Sequence, residues 1–276
     1  WVADGVFPPQ PGNSRLHTLH SLSAFVQQTL GLTGTCLTVS TACSSSAKAF
    51  ASGERLLALH LADAVVVGGV DTLCGSVLFG FNALQLVSPE PCRPFDTHRC
   101  GISLGEAAGF VLLERGEGGL QLLGCGESSD AHHVSAPQPD GLGALAALDQ
   151  ALASAGMDAA DVDYLHAHGT GTPKNDAAEA CVIAQRFQSH TQVSSTKGQT
   201  GHTLGAAGVL GAAFCLMALE NGLLPGTVGT EAPENEIAPH LLLQATEQRI
   251  HTAACHAFGF GGSSAVLVFG TEGRAR

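Results

Sequence analysis

Residues 35–69 read TCLTVSTACSSSAKAFASGERLLALHLADAVVVGG, and the fold class turns on how this stretch divides. β-Branched alternation over 35–40 predicts a strand, and the serines that follow are suited to capping a helix. Ala47, Phe50, Ala51, Leu57, Ala58 and Leu61 then recur at helical spacing, with Leu56 and Leu59 widening the apolar face until nearly all of it needs cover. AVVVGG at 64–69 reads as a strand covered on both faces. The stretch as a whole is expected to form a right-handed βαβ unit with parallel pairing.

The same alternation continues outward. ISLGEAAGFVLL at 102–113 is a further apolar strand candidate, and ERGEGG at 114–119 marks a division of the chain into 1–118 and 119–276. The second half predicts a strand at 120–125, a helix at 142–155 closed by Gly156, and a strand at 162–168. A helix from about 176, a strand at 191–196, an apolar helix at 203–220 and two strands flanking GFGG complete it. Alternating strands and helices predict an α/β layered fold with mainly parallel sheets. No fixed-period repeat or low-complexity segment argues otherwise.

Composition excludes several functions. A net charge of -12, from 12 basic and 24 acidic residues, repels a phosphate backbone, so nucleic acid is not an expected partner. Nine cysteines without a CxxC pair suit a reducing compartment better than a disulfide framework or a zinc site, and a cytoplasmic location is expected. WVADGVFPPQPGNSR at the start lacks the basic and apolar regions of a secretory signal. The apolar run Leu204–Leu219 is shorter than the roughly 20 residues of a membrane span and reads as a buried helix.

Three junctions carry the chemistry, one serine-rich and two glycine-rich. Cys43 lies where the first strand is expected to turn into a helix; unpaired amides and the positive end of the helix dipole favour a thiolate there and supply donors for an oxyanion. Buried, inert roles are expected for most other cysteines, including Cys36, Cys74, Cys125, Cys181 and Cys215. His168 ends a strand and opens HGTGTPKNDAAEA, facing the cleft at the carboxyl edge of a parallel sheet; a satisfied structural histidine is the alternative. His166, on the same predicted strand face, reads as structural, and an HxH metal pair lacks a third ligand at a telling spacing. His202 lies in SSTKGQTGHTLGAAG, five residues after Lys197. A buried lysine needs a partner, and Glu179 is the nearest plausible carboxylate, although Asp176 and Glu179 also fit a helix-capping pattern. The glycine loop after Lys197 lacks GxxxxGK[ST], and neither it nor GFGGSS makes GxGxxG, so nucleotide binding is not expected.

TACSSS, HGTGTP, KGQTGHTLGAAG and FGFGG, in this order, resemble the elongating β-ketoacyl-acyl carrier protein synthases of the thiolase superfamily. CRPFDTHRCGISLGEAAG at 92–109 extends the resemblance, which runs from about Leu30 to Phe269. It implies a thiolase-like layered αβαβα fold of two pseudo-duplicated halves. The first half is expected to be truncated, because the family places several elements before its nucleophile and the chain has no initiator Met. Cys43 would carry the acyl chain as a thioester, and His168 and His202 would serve the malonyl half-reaction. Lys197 would orient the site through pairing with Glu179. Thr170, Thr172 and Phe258 would contact substrate, the pantetheine arm falling to the two threonines, while Phe260 would gate the acyl pocket and share an oxyanion hole with the Cys43 amide.

The resemblance implies no cofactor or metal. Its expected partners are acyl carrier protein bearing acyl or malonyl phosphopantetheine and a second subunit, as a homodimer or a ketosynthase heterodimer. A non-catalytic chain-length-determining subunit is the alternative function, against which Cys43 counts; thiolytic cleavage is a third. Nothing after Phe269 suggests an attached module. Cys100, His256 and Ser264 replace the family's usual Asp, Asn and Asn and are expected to alter hydrogen bonding around the gate. Arg93 and Arg99 are the candidate contacts for an acidic carrier.

Overall fold

The computed structural model describes residues 18–116 and 118–271. Two compact units divide at Ser40. In the first, α1 (Ser21–Leu30) closes on Gly31 in the left-handed conformation, with the Leu32 amide on the Gln27 carbonyl at 2.9 Å. The predicted strand at 35–40 is not observed. Thr38 is held instead by hydroxyl contacts to His20, just before α1, and to Ser23 in its first turn, at 2.8 and 2.7 Å.

The second unit, from Thr41 on, contains α2 (Ser45–Ala58), β1 (Ala64–Asp71), α3 (Gly75–Ala83) and β2 (Ala107–Glu114). Strand β1 pairs antiparallel with β2, from Ala64 opposite Glu114 to Asp71 opposite Ala107. The expected parallel βαβ unit therefore does not form: its first strand is absent, and β1 takes its partner from later in the chain.

Next come β3 (Leu120–Ser129), α4 (Leu142–Ala155), β4 (Tyr164–His166), α5 (Pro173–Arg186), β5 (Gln192–Ser194), α6 (Lys197–Thr200) and α7 (Ala207–Asn221). The short pair β6 (Leu223–Leu224) and β7 (Thr246–Glu247) precedes β8 (Thr252–Gly259) and β9 (Ser263–Thr271). Five strands form one sheet in the order β3-β9-β8-β4-β5. Pairing is antiparallel for β3/β9 and β9/β8 and parallel for β8/β4 and β4/β5, so the sheet is mixed rather than mainly parallel. The three-residue turn 260–262 joining β8 to β9 is too short for a parallel crossover.

Period-two alternation assigns each strand residue to a face. Ala253, Cys255, Ala257, Leu267 and Phe269 pack with α2 and α7, whereas Ala254, Val266 and Val268 pack with α4 and α5. The β1/β2 pair lies against the other side of α2 and α7 through Val67, Val65 and Val111, giving α4/α5, sheet, α2/α7 and sheet as successive layers. Outward-facing Phe110 and Leu112 of β2 are exposed. Gly124 and Gly126 let α4 approach β3 closely: a Cβ at either would lie 2.3 or 1.9 Å from the Ala151 or Ala147 carbonyl oxygen. Residues Leu204–Asn221 are long and apolar enough to cross a membrane, yet half of this segment is buried, with Val209, Ala212, Cys215 and Ala218 in the core.

Candidate active site

Cys43 lies two residues before α2, after Ala42, whose φ of 51° is a conformation few non-glycine residues adopt. The Ser44 hydroxyl donates to the Thr41 carbonyl at 2.8 Å and steadies this turn. The sulfur is buried. Burial pushes the thiol up to about 12; the Asp71 carboxylate reinforces this, while Lys197 and the amides of Cys43 and Phe260 oppose it. The expected ionised thiolate is therefore overturned, because desolvation exceeds what a helix end and one ammonium return. The two amides do converge on the sulfur, the arrangement expected of an oxyanion hole.

His168 lies beyond the end of β4, where Gly169, at a φ of 38°, bends the chain. A Cβ on Gly169 would lie 2.6 Å from the Ser195 Cβ, so the turn admits only glycine. His168 and His166, expected on one strand face, have different neighbours, since the strand ends at His166. His166 stacks on Phe214 of α7 at 5.4 Å and contacts the Thr196 hydroxyl at 3.1 Å, whereas the His168 ring lies 5.2 Å from His202 and 5.6 Å from Phe258.

Glu179 and Lys197 bracket the His168 peptide. The Glu179 carboxylate accepts the amides of His168 and Gly169, both at 2.7 Å, and the Lys197 ammonium donates to the His168 carbonyl. The direct side-chain partner of Glu179 is His256, whose Nδ1 lies 3.0 Å from Oε1. Lys197 and Glu179 therefore interact through space rather than by the direct pairing expected: burial lowers the Lys197 pKa and the charge of Glu179 draws it back up. The capping pattern is not realised either. Thr172 is the N-cap without a side-chain bond, and Asp176 reaches back to the amides of Thr170, Gly171 and Phe95 at 2.9, 3.0 and 2.8 Å.

Burial, and then the charge of Lys197, drive the pKa values of His168 and His202 well below the ordinary histidine value. Both rings are neutral. His202 Nδ1 accepts the Leu204 amide at 3.3 Å, so its proton sits on Nε2. His168 Nδ1 is buried without a partner among the described residues.

A cavity of about 320 Å³ is lined by Cys43, His168, His202, Thr170, Thr172 and Phe258, together with Glu179 and Phe260. The hydroxyls of Thr170 and Thr172 lie 2.8 Å apart. Phe260 sits at the turn between β8 and β9, its ring 5.7 Å from Phe81, and Phe81, Leu84 and Ile102 give this side an apolar wall. Lys197 is not among the residues lining the cavity and acts from behind the His168 peptide. Among the described residues, no group of three His, Cys, Asp or Glu side chains is placed to hold a metal ion.

Arg99 does not offer a docking charge. Its side chain is 6% exposed and donates to the carbonyls of Thr172, Pro173 and Asp96, with an ion pair to Glu234 at 2.6 Å. Arg93 is paired with Glu90 at 2.7 Å. Through these bonds Arg99 braces the threonine loop. Cys100 is exposed beside the Ser88 hydroxyl, 3.0 Å away, and Ser264 lines the cavity. Cys74 is exposed, and its hydrogen bond with the Ser76 hydroxyl lowers its pKa, contrary to the buried, inert role expected. Asp71 was missed; it accepts the Gly205 amide at 2.9 Å and opposes ionisation of Cys43.

The family model described as Beta-ketoacyl synthase, N-terminal domain, matches residues 10–118, and its C-terminal counterpart matches 121–231. Nodulation protein E of Rhizobium meliloti is 37% identical over 260 residues, covering 88% of this chain and 64% of that protein. The 3-oxoacyl-[acyl-carrier-protein] synthase 2 of Rhizobium meliloti (strain 1021) is 38% identical, covering 83% of this chain and 59% of its own length. In the solved structure of the ketosynthase ApeO in complex with its chain length factor ApeC from Xenorhabdus doucetiae, the matched chain is 43% identical. Its TM-score is 0.89, covering 94% of this chain and 65% of that one. The chain thus spans 59–65% of these three relatives.

Proposed function

Because the chain belongs to the β-ketoacyl synthase family, we propose that it carries the condensing site of a β-ketoacyl-acyl carrier protein synthase, working by decarboxylative Claisen condensation in fatty acid or polyketide-type synthesis. The observation that carries the reading is one cavity shared by Cys43, His168 and His202.

The Cys43 thiol gives up its proton as it attacks the carbonyl of an acyl thioester, and the carrier leaves as its free thiol, with an acyl-cysteine remaining. Malonyl thioester then enters. The Nε2–H of His202, with the neutral imidazole of His168 beside it, stabilises the enolate that forms as carbon dioxide departs. The enolate carbon attacks the acyl-cysteine carbonyl. The resulting oxyanion is held by the amides of Cys43 and Phe260, and collapse expels the Cys43 thiolate, which takes up a proton from solvent to regenerate the resting thiol, and frees the β-ketoacyl product. A neutral thiol in the resting state makes proton removal part of the first step, and neutral imidazoles suit that step as well as the second.

Acyl carrier protein is the proposed donor of both thioesters, a reading supported by the similarity to the 3-oxoacyl-[acyl-carrier-protein] synthase 2 of Rhizobium meliloti. The solved ketosynthase is paired with a chain length factor, which supports a heterodimer for this protein, with a homodimer as the other arrangement. A non-catalytic role would leave Cys43 and its two amides unused. A nucleophile half at 1–118 and a histidine half at 119–276 belong to the proposal, supported by family-model matches that part between 118 and 121. So does a cytoplasmic location, supported by nine free cysteines.

The test is mass spectrometry of carrier-bound products from the complete protein given acyl- and malonyl-carrier substrates. A product longer by two carbons, with Cys43 protected from iodoacetamide by acyl carrier, is expected. Absence of both would overturn the reading.

A further inference from the structure

His256 is buried on the α4/α5 side of β8, its ring 5.0 Å from Phe258 and 6.4 Å from Phe187. Its Nδ1 lies 3.0 Å from Glu179 Oε1, and both side chains are fully buried. Glu179 Oε1 also accepts the His168 amide and Oε2 accepts the Gly169 amide. A carboxylate engaged this way is an acceptor only, so Nδ1 of His256 carries a proton and donates it to Glu179. The opposite nitrogen, Nε2, is buried without a partner among the described residues.

We propose that His256 is a positioning residue that holds Glu179 away from Lys197, so that the two charges bracket the His168 peptide instead of neutralising each other. Two opposite charges in one buried pocket attract strongly at low dielectric. Direct contact is the arrangement they would take if nothing restrained the carboxylate. Three donors restrain it here, two of them amides of the very loop that must be positioned. Only the His256 ring comes from outside that loop, on a strand fixed by β4 and β9 on either side. Without it, Glu179 is free to turn toward the ammonium and release the His168 and Gly169 amides. The His168 ring would then lose its place in the cavity, while Cys43, on a different element, would keep its own.

This inference rests on the proposed function for its kinetic consequence but not for its structural one. In His256→Phe, a crystal structure should place a Glu179 oxygen within 4.0 Å of Lys197 Nζ. Malonyl decarboxylation should fall by roughly ten- to a hundredfold, the range expected when a catalytic group moves by about 1 Å, while alkylation of Cys43 changes by less than about twofold. His256→Asn keeps a donor near the Nδ1 position and should restore decarboxylation. His256→Gln places its amide further out and should not. The proposal is overturned if Glu179 stays on the two amides in His256→Phe, or if decarboxylation and Cys43 alkylation decline together. A native protein with neither half-reaction would refute the condensing-enzyme reading, and the Glu179 position in the variant would still decide this one.

Discussion

The imidazoles of His168 and His202 meet edge to face, 85° between planes and 5.2 Å between centroids, with Lys197 depressing the pKa of both. Burial, with the charge of Lys197 added to it, keeps both rings neutral at physiological pH, and a neutral ring can donate from one nitrogen and accept at the other. The consequence for stability has a definite sign. Each folded-state pKa lies below the unfolded value near 6.5, so the unfolded chain binds protons first. The stability from excluding those protons is complete above pH 6.5 and is lost progressively as the pH falls below it. Urea unfolding at pH 5, 6, 7 and 8 should show this loss, and His168→Gln or His202→Gln should reduce the slope. An unchanged slope in both variants would show that other groups cause it.

Lys197 reaches the site through its charge. Replacing it with Met removes the ammonium that lowers both histidines and also lowers Cys43. The His168 and His202 titrations, followed by NMR, should move up toward 6.5, and alkylation of Cys43 at pH 8 should slow. Histidine titrations that stay where they were would mean that burial alone accounts for them.

Cys43 makes a separate prediction. A thiol held near 12 is almost wholly protonated at pH 7, so its alkylation rate should rise about tenfold per pH unit from 7 to 10 without levelling, because the thiolate is the nucleophile. A plateau near pH 7 in iodoacetamide kinetics would restore the ionised helix-tip thiolate.

Legibility in the sequence followed the range of the forces involved. Helix α4 was readable to its last residue because Gly156, at a φ of 64°, is a local signal. The junctions at Cys43, His168 and His202 were readable because tight turns require glycine and small residues in fixed order. Pairing direction was not, since 35–40 and 64–69 look equally strand-like, and the partner that the second of them takes, β2, lies some 40 residues further on. The Cys43 pKa was misread for a related reason: a motif displays a helix end but not the burial that outweighs it. The direct Lys197–Glu179 pairing does not form because Glu179 is engaged by the His168 and Gly169 amides and by His256, 77 residues away in the sequence, while Lys197 donates to the His168 carbonyl.

The turn beneath Phe260 gives the sharpest comparison, because two adjacent glycines differ only in their surroundings. Gly261 and Gly262 have φ of 79° and 76°, so alanine at either is strained by about 1–2 kcal/mol. At Gly261 a Cβ meets nothing within 4 Å, whereas at Gly262 it would lie 1.9 Å from Asp130 Oδ1 and 3.0 Å from the Ala131 amide nitrogen. Asp130 cannot simply swing aside: its carboxylate accepts the amides of His132 and Gln138, and its own amide donates to the Gly262 carbonyl at 3.1 Å. Gly262→Ala must therefore push the 130–138 loop away from the turn and displace the Phe260 amide from the Cys43 sulfur. Gly261→Ala should lose only the strain energy in urea unfolding and keep near-native condensation. Gly262→Ala should lose at least about 1 kcal/mol more, for the broken loop hydrogen bonds, and its turnover should fall with the lost oxyanion donor. Equal stabilities for the two variants would mean that the 130–138 loop yields freely, and that the turn, rather than its neighbour, places the Phe260 amide.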